Sequence, residues 1–158
     1  MQDKYIPDGE AASSPAPDSR PAWHALLQVS SRVVGELDRR LGLEHRISVN
    51  EFDVLINLDN ASGERLRMTN LANAVLLSSG GLTRLVGRLE DRGLVLREPD
   101  PADGRSSLAS LTDAGRSLLA RARVTHDLVI AELIGEPLSA TDLRTLTRVL
   151  QRVLDAGS

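Results

Sequence analysis

The segment from Ser78 to Leu111 has the most regular pattern of apolar and polar positions in the chain. Its apolar residues recur at spacings of three and four, which predicts a helix with one apolar face: Leu82, Leu85, Val86 and Leu89. Gly93 follows this helix and suits its C-terminal end. Two short apolar runs, 94–96 and 108–111, flank a segment rich in proline, aspartate and glycine at 99–104. This order predicts a β-hairpin directly after the helix.

The residues before this helix predict three further helices. Pro21 suits a first helical turn, and apolar residues keep a helical spacing from there to Gly42 or a few residues beyond. Ser48 and Glu51 have the spacing of a capping box at the start of a second helix. A turn signal at 60–63 precedes a segment, 65–68, in which a short strand can form, and then a short helix at about 68–75. Ser78 is the expected N-cap of the amphipathic helix.

Two helices are predicted after the hairpin. Thr112 is the expected N-cap of a long helix that ends near Ile134, because Gly135 and Pro137 interrupt the pattern. The last helix begins near Ser139. Its apolar residues alternate spacings of three and four, as in a coiled-coil seam: Leu143, Leu146, Leu150 and Val153.

These elements predict a mainly α fold with a small β wing. A basic helix followed by a hairpin is the arrangement of a winged helix-turn-helix, in which the helix enters a DNA groove and the hairpin, or wing, lies beside it. We expect residues 1–20 to be a disordered tail, because they are rich in Pro, Ser, Ala and Asp and lack periodicity. We expect residues 21–158 to form a single domain, with the winged lobe at 48–111 and dimerisation helices at 21–47 and 112–158. The first and last helices have larger apolar faces than the lobe needs, which predicts a twofold homodimer; the alternative is a monomer in which they cover each other.

Composition narrows the class of protein. Aromatic residues make up 2% of the 158 positions, which favours packed helices with a core of Leu, Val and Ala. The sequence has no cysteine, which excludes disulfides, thiolate metal sites and thiol nucleophiles. The sequence shows neither an apolar run of membrane-spanning length nor a signal-peptide core, so we expect a cytoplasmic protein without a membrane partner.

The distribution of charge matters more than the net charge of −3. Between Arg65 and Leu89 there are four arginines and no acidic residue, whereas the remainder has 15 basic and 22 acidic residues, a net of −7. Local potential guides a polyanion to its site, so this segment is a candidate DNA-binding surface. The alternative is that the four arginines only make the surface soluble.

The expected DNA contacts lie on the helix at about 79–92 and on the wing. Arginine can donate two hydrogen bonds to guanine, threonine can contact a base or a thymine methyl group, and the helix start suits phosphate. Arg105, near the hairpin tip, is expected to enter the minor groove, and Asp103 could orient Arg105 or Arg97. The expected DNA-binding residues are Arg67, Ser78, Ser79, Thr83, Arg84, Arg88, Arg97, Asp103 and Arg105. The alternatives are a solvated polar face and a polar turn with an incidental ion pair.

The sequence contains no motif of an enzyme. Phosphate-binding loops, nucleophile elbows, zinc-protease motifs and dinucleotide fingerprints are all missing. The three histidines, His24, His45 and His126, have no metal-ligand spacing. We therefore expect a protein with no catalytic residue, metal or cofactor.

The chain resembles the MarR family of bacterial transcription regulators. The similarity extends weakly over 21–156, and the motifs that fall at the family's spacings are Leu71-Ala72, Leu77-Ser78, Leu82-Thr-Arg-Leu-Val86, Arg88-Leu-Glu90, Gly93-Leu-Val95, Asp100-Pro101, Asp103-x-Arg105, Leu111-Thr112 and Gly115. The resemblance implies a triangular homodimer on a short palindromic operator, with Arg105 in the minor groove. It also implies that four residues face the major groove: Ser79, Thr83, Arg84 and Arg88. Gly104 departs from the family's pattern, because that wing position is often arginine.

Regulators of this kind are usually repressors released by a small, often phenolic or anionic, ligand. The resemblance places the ligand where the winged lobe meets the dimer helices, near Trp23, His24, Leu27 and Phe52. The lack of cysteine excludes the peroxide-sensing thiol mechanism of some members. The sequence thus predicts a homodimeric, ligand-responsive repressor that binds double-stranded DNA. The alternative is a winged-helix protein-interaction module that does not bind DNA. The missing enzyme motifs argue against a further alternative, a small cofactor-free enzyme.

Overall fold

The computed structural model describes residues 18–61, 65–75 and 78–156, without the side chains of Ser79 and Arg105. Most of the predicted tail, 1–17, lies outside these residues. The described helices are α1 (Arg20–His45), α2 (Val49–Asp59), α3 (Met68–Ala74), α4 (Ser79–Asp91), α5 (Asp113–Ile130) and α6 (Ala140–Asp155). The described strands are β1 (Arg65–Arg67), β2 (Val95–Asp100) and β3 (Asp103–Leu111). The predicted fold class, mainly α with a small β wing, is confirmed.

Local sequence signals set the helix starts as predicted. Glu51 N–H donates to Ser48 Oγ over 3.2 Å, and Ser48 N–H donates to Glu51 Oε2 over 2.9 Å, which forms the expected capping box of α2. Thr112 Oγ1 accepts from the third residue of α5 in the same way. Ser139 and Asp142 form a second capping box at α6. Each side-chain oxygen satisfies a backbone N–H that has no partner inside its helix.

The two longest helices, α1 and α5, do not end at the glycines that interrupt the apolar pattern in the sequence. α1 continues past Gly42 to His45 and ends at Arg46, which has a left-handed φ of 57°. Arg46 N–H donates to the Gly42 carbonyl over 3.1 Å, and Ile47 then turns into the core. After α5 the backbone passes through a π-helical turn at Ala131–Gly135, which ends the long helical segment close to the predicted position.

The sheet has the order β1–β3–β2, and both pairings are antiparallel. The wing strands extend further than predicted, because Pro99 pairs with Ser107 inside the segment expected to be the turn. The register shifts after Pro99, so that Asp100 lies opposite Asp103. The turn therefore contains only residues 101 and 102, and the predicted loop at 99–104 is mostly strand.

The core lies between the C-terminal half of α1, α2, α4, α5 and the sheet. Its largest fully buried side chains are aliphatic, as the low aromatic content predicts: Leu41, Ile47, Leu55, Leu58, Leu71, Leu82, Leu89, Leu119, Val54, Val86 and Val129. Burying each of them contributes about 1.5–3 kcal/mol. By contrast, α6 has no buried residue, and the N-terminal half of α1 exposes Trp23 and Leu27. Across the described residues, none of the helices combines the length and apolarity needed to span a bilayer.

Candidate nucleic-acid interface

α4 separates an apolar face from a polar face, as its sequence predicts. The four apolar residues that recur at helical spacing are all buried, and they fix α4 against the core. Successive residues are about 100° apart around a helix, so the opposite face is formed by Gly80, Thr83, Arg84, Gly87 and Asp91. A side-chain carbon added at Gly80 or Gly87 would meet nothing within 4 Å. The two glycines therefore allow another molecule to approach the backbone of α4 closely.

The start of α4 offers backbone donors to an anion. Ser78 is the N-cap, and its Oγ accepts from Gly81 N–H over 3.2 Å, as predicted. The first N–H groups of a helix have no partner within the helix, and such groups suit phosphate. The side chain of Ser79 lies outside the described residues, so its contact with DNA stays a prediction.

The two arginines of α4 differ in their surroundings. Arg84 is exposed and forms no hydrogen bond or ion pair within the part of the chain that the structure describes. Arg88 is also exposed, but its Nε lies 3.7 Å from Oε1 of Glu51. Arg84 is thus placed at the centre of the polar face, and Arg88 lies on the flank that faces α2.

The wing turn is held by a buried carboxylate. Asp100 is 5% exposed, and its Oδ1 accepts from Ala102 N–H over 2.9 Å. Its Oδ2 accepts from Arg67 Nε over 2.7 Å and from Ser106 Oγ over 3.3 Å. The Ala102 N–H, and after it the Arg67 guanidinium, hold the pKa of Asp100 below its usual value. The carboxylate closes the tight turn and joins the wing to β1.

Arg67 and Arg97 have structural partners that the sequence analysis did not identify. The structure places Arg67 Nε against Asp100, while the side chain stays 47% exposed, and the contact of Arg67 with DNA stays a prediction. Asp103 was expected to orient Arg105 or Arg97, and the structure holds the Arg97 guanidinium with Glu90 of α4, which also accepts from Arg97 N–H over 3.2 Å; the contact of Arg97 with DNA stays a prediction. Both arginines connect the wing to neighbouring elements. Asp103 is exposed at the start of β3.

Two further points concern the predicted wing contacts. The side chain of Arg105 lies outside the described residues, so its entry into the minor groove stays a prediction. Asp100 was missed as a functional residue, although an aspartate two residues before a backbone N–H in a turn is a known local signal. The pairing of Glu51 with Arg88 had no signal in the sequence, because 37 positions separate the two residues.

The residues predicted to surround a ligand lie on two parts of the protomer, α1 and α2; they are Trp23, His24, Leu27 and Phe52. Phe52 is buried and stacks on the His126 ring, with 4.9 Å between ring centroids and 17° between planes. The neighbouring Thr125 meets His45 at the end of α1, with 2.8 Å between Oγ1 and Nε2. Trp23 precedes His45 by 22 residues, about 33 Å along a helix. Within one protomer Trp23 and Phe52 thus lie in different places, and their common ligand site stays a prediction.

Comparisons with known proteins agree with this geometry. A family model described as the MarR family matches residues 47–106. The HTH-type transcriptional regulator MhqR of Bacillus subtilis (strain 168) is 32% identical over 110 residues, which cover 70% of this chain and 74% of MhqR. The chain belongs to the MarR family. The segment that the model matches contains α2, α3, α4 and most of the wing, and so it includes the whole polar face of α4.

Two other comparisons extend the match. The uncharacterized HTH-type transcriptional regulator YkoM of the same Bacillus strain is 37% identical over 98 residues, and the match covers 62% of each protein. The chain thus matches less than two thirds of the length of YkoM. Sco3205, a MarR family transcriptional regulator from Streptomyces coelicolor, was solved in complex with DNA. It superposes with a TM-score of 0.82 at 25% identity, covering 94% of this chain and 92% of that one.

Proposed function

We propose that this MarR-family chain is a homodimeric, ligand-responsive repressor that binds a palindromic DNA operator in the cytoplasm. The observation that carries the proposal is the exposed polar face of α4, where Arg84 has no protein partner among the described residues and the wing lies alongside. A guanidinium with all its donors available can read a guanine in the major groove. The likeness to Sco3205 in complex with DNA supports this role. The chain acts as a regulator and performs no catalysis.

The proposed contacts divide between bases and backbone. Thr83, Arg84 and Arg88 face the major groove, and Arg105 reaches the minor groove from the wing. Ser78 and Ser79 bring the start of α4 to a phosphate. Contacts with the bases discriminate between sequences, whereas contacts with the phosphate backbone position the protein on any duplex.

A second copy of the chain completes the proposed repressor. Two residues of the α6 seam are exposed in the protomer, Leu146 at 39% and Val153 at 66%. Leu26 and Leu27 of α1 are similarly exposed. Large exposed apolar side chains on both terminal helices favour a covering partner, and a twofold axis would bury the same faces of both copies. Such a dimer presents its two α4 helices to half-sites one turn apart, about 34–36 Å.

The proposed ligand acts by changing the arrangement of the two lobes. It must bind one arrangement more tightly than the other, since otherwise it shifts no equilibrium. The exposed side chains of Trp23, His24 and Leu27 lie on the same half of α1 as the proposed dimer face. A ligand bound there would alter the angle between protomers, and with it the spacing of the recognition helices.

Fluorescence anisotropy with duplex DNA from the protein's own upstream region, over a salt series, tests the proposal. Binding through about six phosphates per dimer should weaken by roughly a thousandfold between 50 and 200 mM salt, and a scrambled duplex should bind far more weakly. Sedimentation at the same concentrations should show a dimer. A protein that binds neither this duplex nor any duplex selected from a random library would refute the proposal in favour of a protein-interaction module.

A further inference from the structure

Glu51 is a buried acid that meets both α2 and the recognition helix. It is 7% exposed, and its Oε2 accepts from Ser48 N–H over 2.9 Å and from Ser48 Oγ over 3.3 Å. Its other oxygen, Oε1, lies 3.7 Å from Arg88 Nε and 3.8 Å from Arg92 Nη1. One carboxylate oxygen thus serves the helix cap, while the other faces the guanidiniums of Arg88 in α4 and of Arg92 at its C-cap.

The second capping box shows what a cap alone requires. Asp142 accepts from Ser139 N–H over 3.1 Å and from Ser139 Oγ over 2.6 Å. It is exposed, and within the described residues the structure gives it no ion pair with an arginine. The burial of Glu51 and its approach to two arginines are therefore additional to its capping role.

Arg88 and Arg92 lie one helical turn apart on the flank of α4 that faces α2, so one acid can hold both. Long arginine side chains lose conformational freedom when they are ordered at an interface. Glu51 already restricts both side chains in the free protein, so less of this freedom is left to lose when DNA binds. Its negative charge also offsets part of the attraction of the two guanidiniums for any phosphate.

We propose that Glu51 is a positioning residue for specificity, which holds Arg88 and Arg92 in place and makes binding depend on the correct bases. This inference rests on the proposed function, because it concerns the way in which the same α4 face reads DNA. Removing the charge of Glu51 should lower the ratio of specific to non-specific affinity. The loss arises in two ways: weaker binding to the operator and stronger binding to unrelated DNA.

Glu51→Gln tests the proposal, because glutamine at this position keeps the capping box and removes the charge. The probe is the duplex that the wild-type protein selects from a randomised library, with a scrambled duplex as reference. We expect the affinity ratio to fall by about tenfold, within the range for one base-reading arginine. Asp142→Asn, the matched change in the other capping box, should leave the ratio unchanged. Thermal unfolding of both variants reports the capping effect separately.

A double-mutant cycle distinguishes positioning from a general structural effect. In a background that carries both Arg88→Ala and Arg92→Ala, Glu51→Gln should change the ratio by less than about twofold, since both partners of its carboxylate are already gone. In an Arg84→Ala background it should still cause the full loss. Selections with Glu51→Gln and with Arg88→Ala should relax the same base positions. An equal loss in both backgrounds, or an unchanged ratio in Glu51→Gln, would overturn the proposal.

Two outcomes need separate controls. If Glu51→Gln unfolds much more readily than Asp142→Asn, Glu51→Asp replaces it. That variant keeps the charge and an aspartate-type capping box but withdraws the carboxylate from the arginines. It should lower the ratio as well, and an unchanged ratio would contradict the proposal. If the wild-type protein selects no sequence at all, the proposed function fails and this inference fails with it, whereas selection by the wild type isolates the role of Glu51.

Discussion

Gly115→Ala is expected to destabilise the fold through one added carbon atom. Gly115 is buried in the first turn of α5, and a Cβ placed there would lie 2.1 Å from the carbonyl oxygen of Leu94 and 3.4 Å from Cδ2 of Leu111. A carbon and an oxygen that do not bond to each other need more than 3 Å. The start of α5 must therefore move by about 1 Å away from the segment before β2.

The cost of this movement follows from the contacts at the joint. Thr112 N–H donates to the Leu94 carbonyl over 3.1 Å, and Thr112 Oγ1 donates to the Gly93 carbonyl over 2.7 Å. Losing each bond costs about 0.5–1.5 kcal/mol, and the overpacking costs about 1–3 kcal/mol. Replacing a helical glycine by alanine returns about 0.5–1 kcal/mol. We expect a net loss of about 2–4 kcal/mol, or a Tm lower by about 5–15 °C in a domain of this size.

Thermal unfolding followed by circular dichroism measures the loss, at a fixed protomer concentration because association raises the apparent Tm. Gly35→Ala is the matched control, since a Cβ at Gly35 in α1 would meet nothing within 4 Å. That control should gain about 0.5–1 kcal/mol. A Tm for Gly115→Ala at or above the wild-type value would show that the joint adapts without loss and would refute the reasoning.

Four other outcomes are expected. Asp100→Asn should weaken operator binding several-fold and speed hydrogen exchange of the wing amides. Glu98→Gln, at an exposed ion pair of the same strand, should leave both unchanged. Equal effects of the two changes would argue against the role of the buried Asp100 carboxylate in holding the wing. Two arginines lower the pKa of Glu36 from 4.5 to about 2, so its stabilising contribution is present above pH 4.5 and is lost as the pH falls toward 2; urea unfolding of Glu36→Gln should lack this part of the pH dependence. Arg84→Ala should cost about 1–3 kcal/mol of operator affinity and relax one base position, and unchanged competition binding would contradict the placement of the reading face. Val153→Glu should convert the dimer to a monomer in sedimentation, and a persistent dimer would exclude α6 from the interface.

The fold could be predicted from the sequence wherever a local interaction determines it. The Ser48–Glu51 capping box depends on four consecutive residues, and Gly93 takes the positive φ expected at a helix end. The apolar spacing of α4 determines which of its faces is buried. Gly115 appeared only as part of a family motif, and the structure supplies its physical reason, the close approach of Leu94.

The rest depended on contacts between distant parts of the chain. Arg46 ends α1 in a left-handed conformation that arginine seldom adopts, because Ile47 must enter the core. Charge patterning placed Arg67 in the basic segment that is the candidate DNA-binding surface. It could not show that Arg67 Nε donates a hydrogen bond to the Asp100 carboxylate, 33 positions later. Nor did the sequence indicate that the Phe52 ring stacks on His126, 74 positions later.

The length of α1 gives the proposed repressor a lever. This helix runs without interruption for 26 residues, from Arg20 to His45, and exposed Trp23 lies about 27 Å along it from buried Leu41. When α1 tilts about the buried Leu41, each degree of tilt displaces Trp23 by about 0.5 Å. A rotation of roughly ten degrees at the dimer face would thus shift one lobe by about 5 Å, a sizeable part of the one-turn spacing that two recognition helices must match on DNA. A rigid arm of this kind converts a small ligand-driven rotation into a large mismatch with the operator.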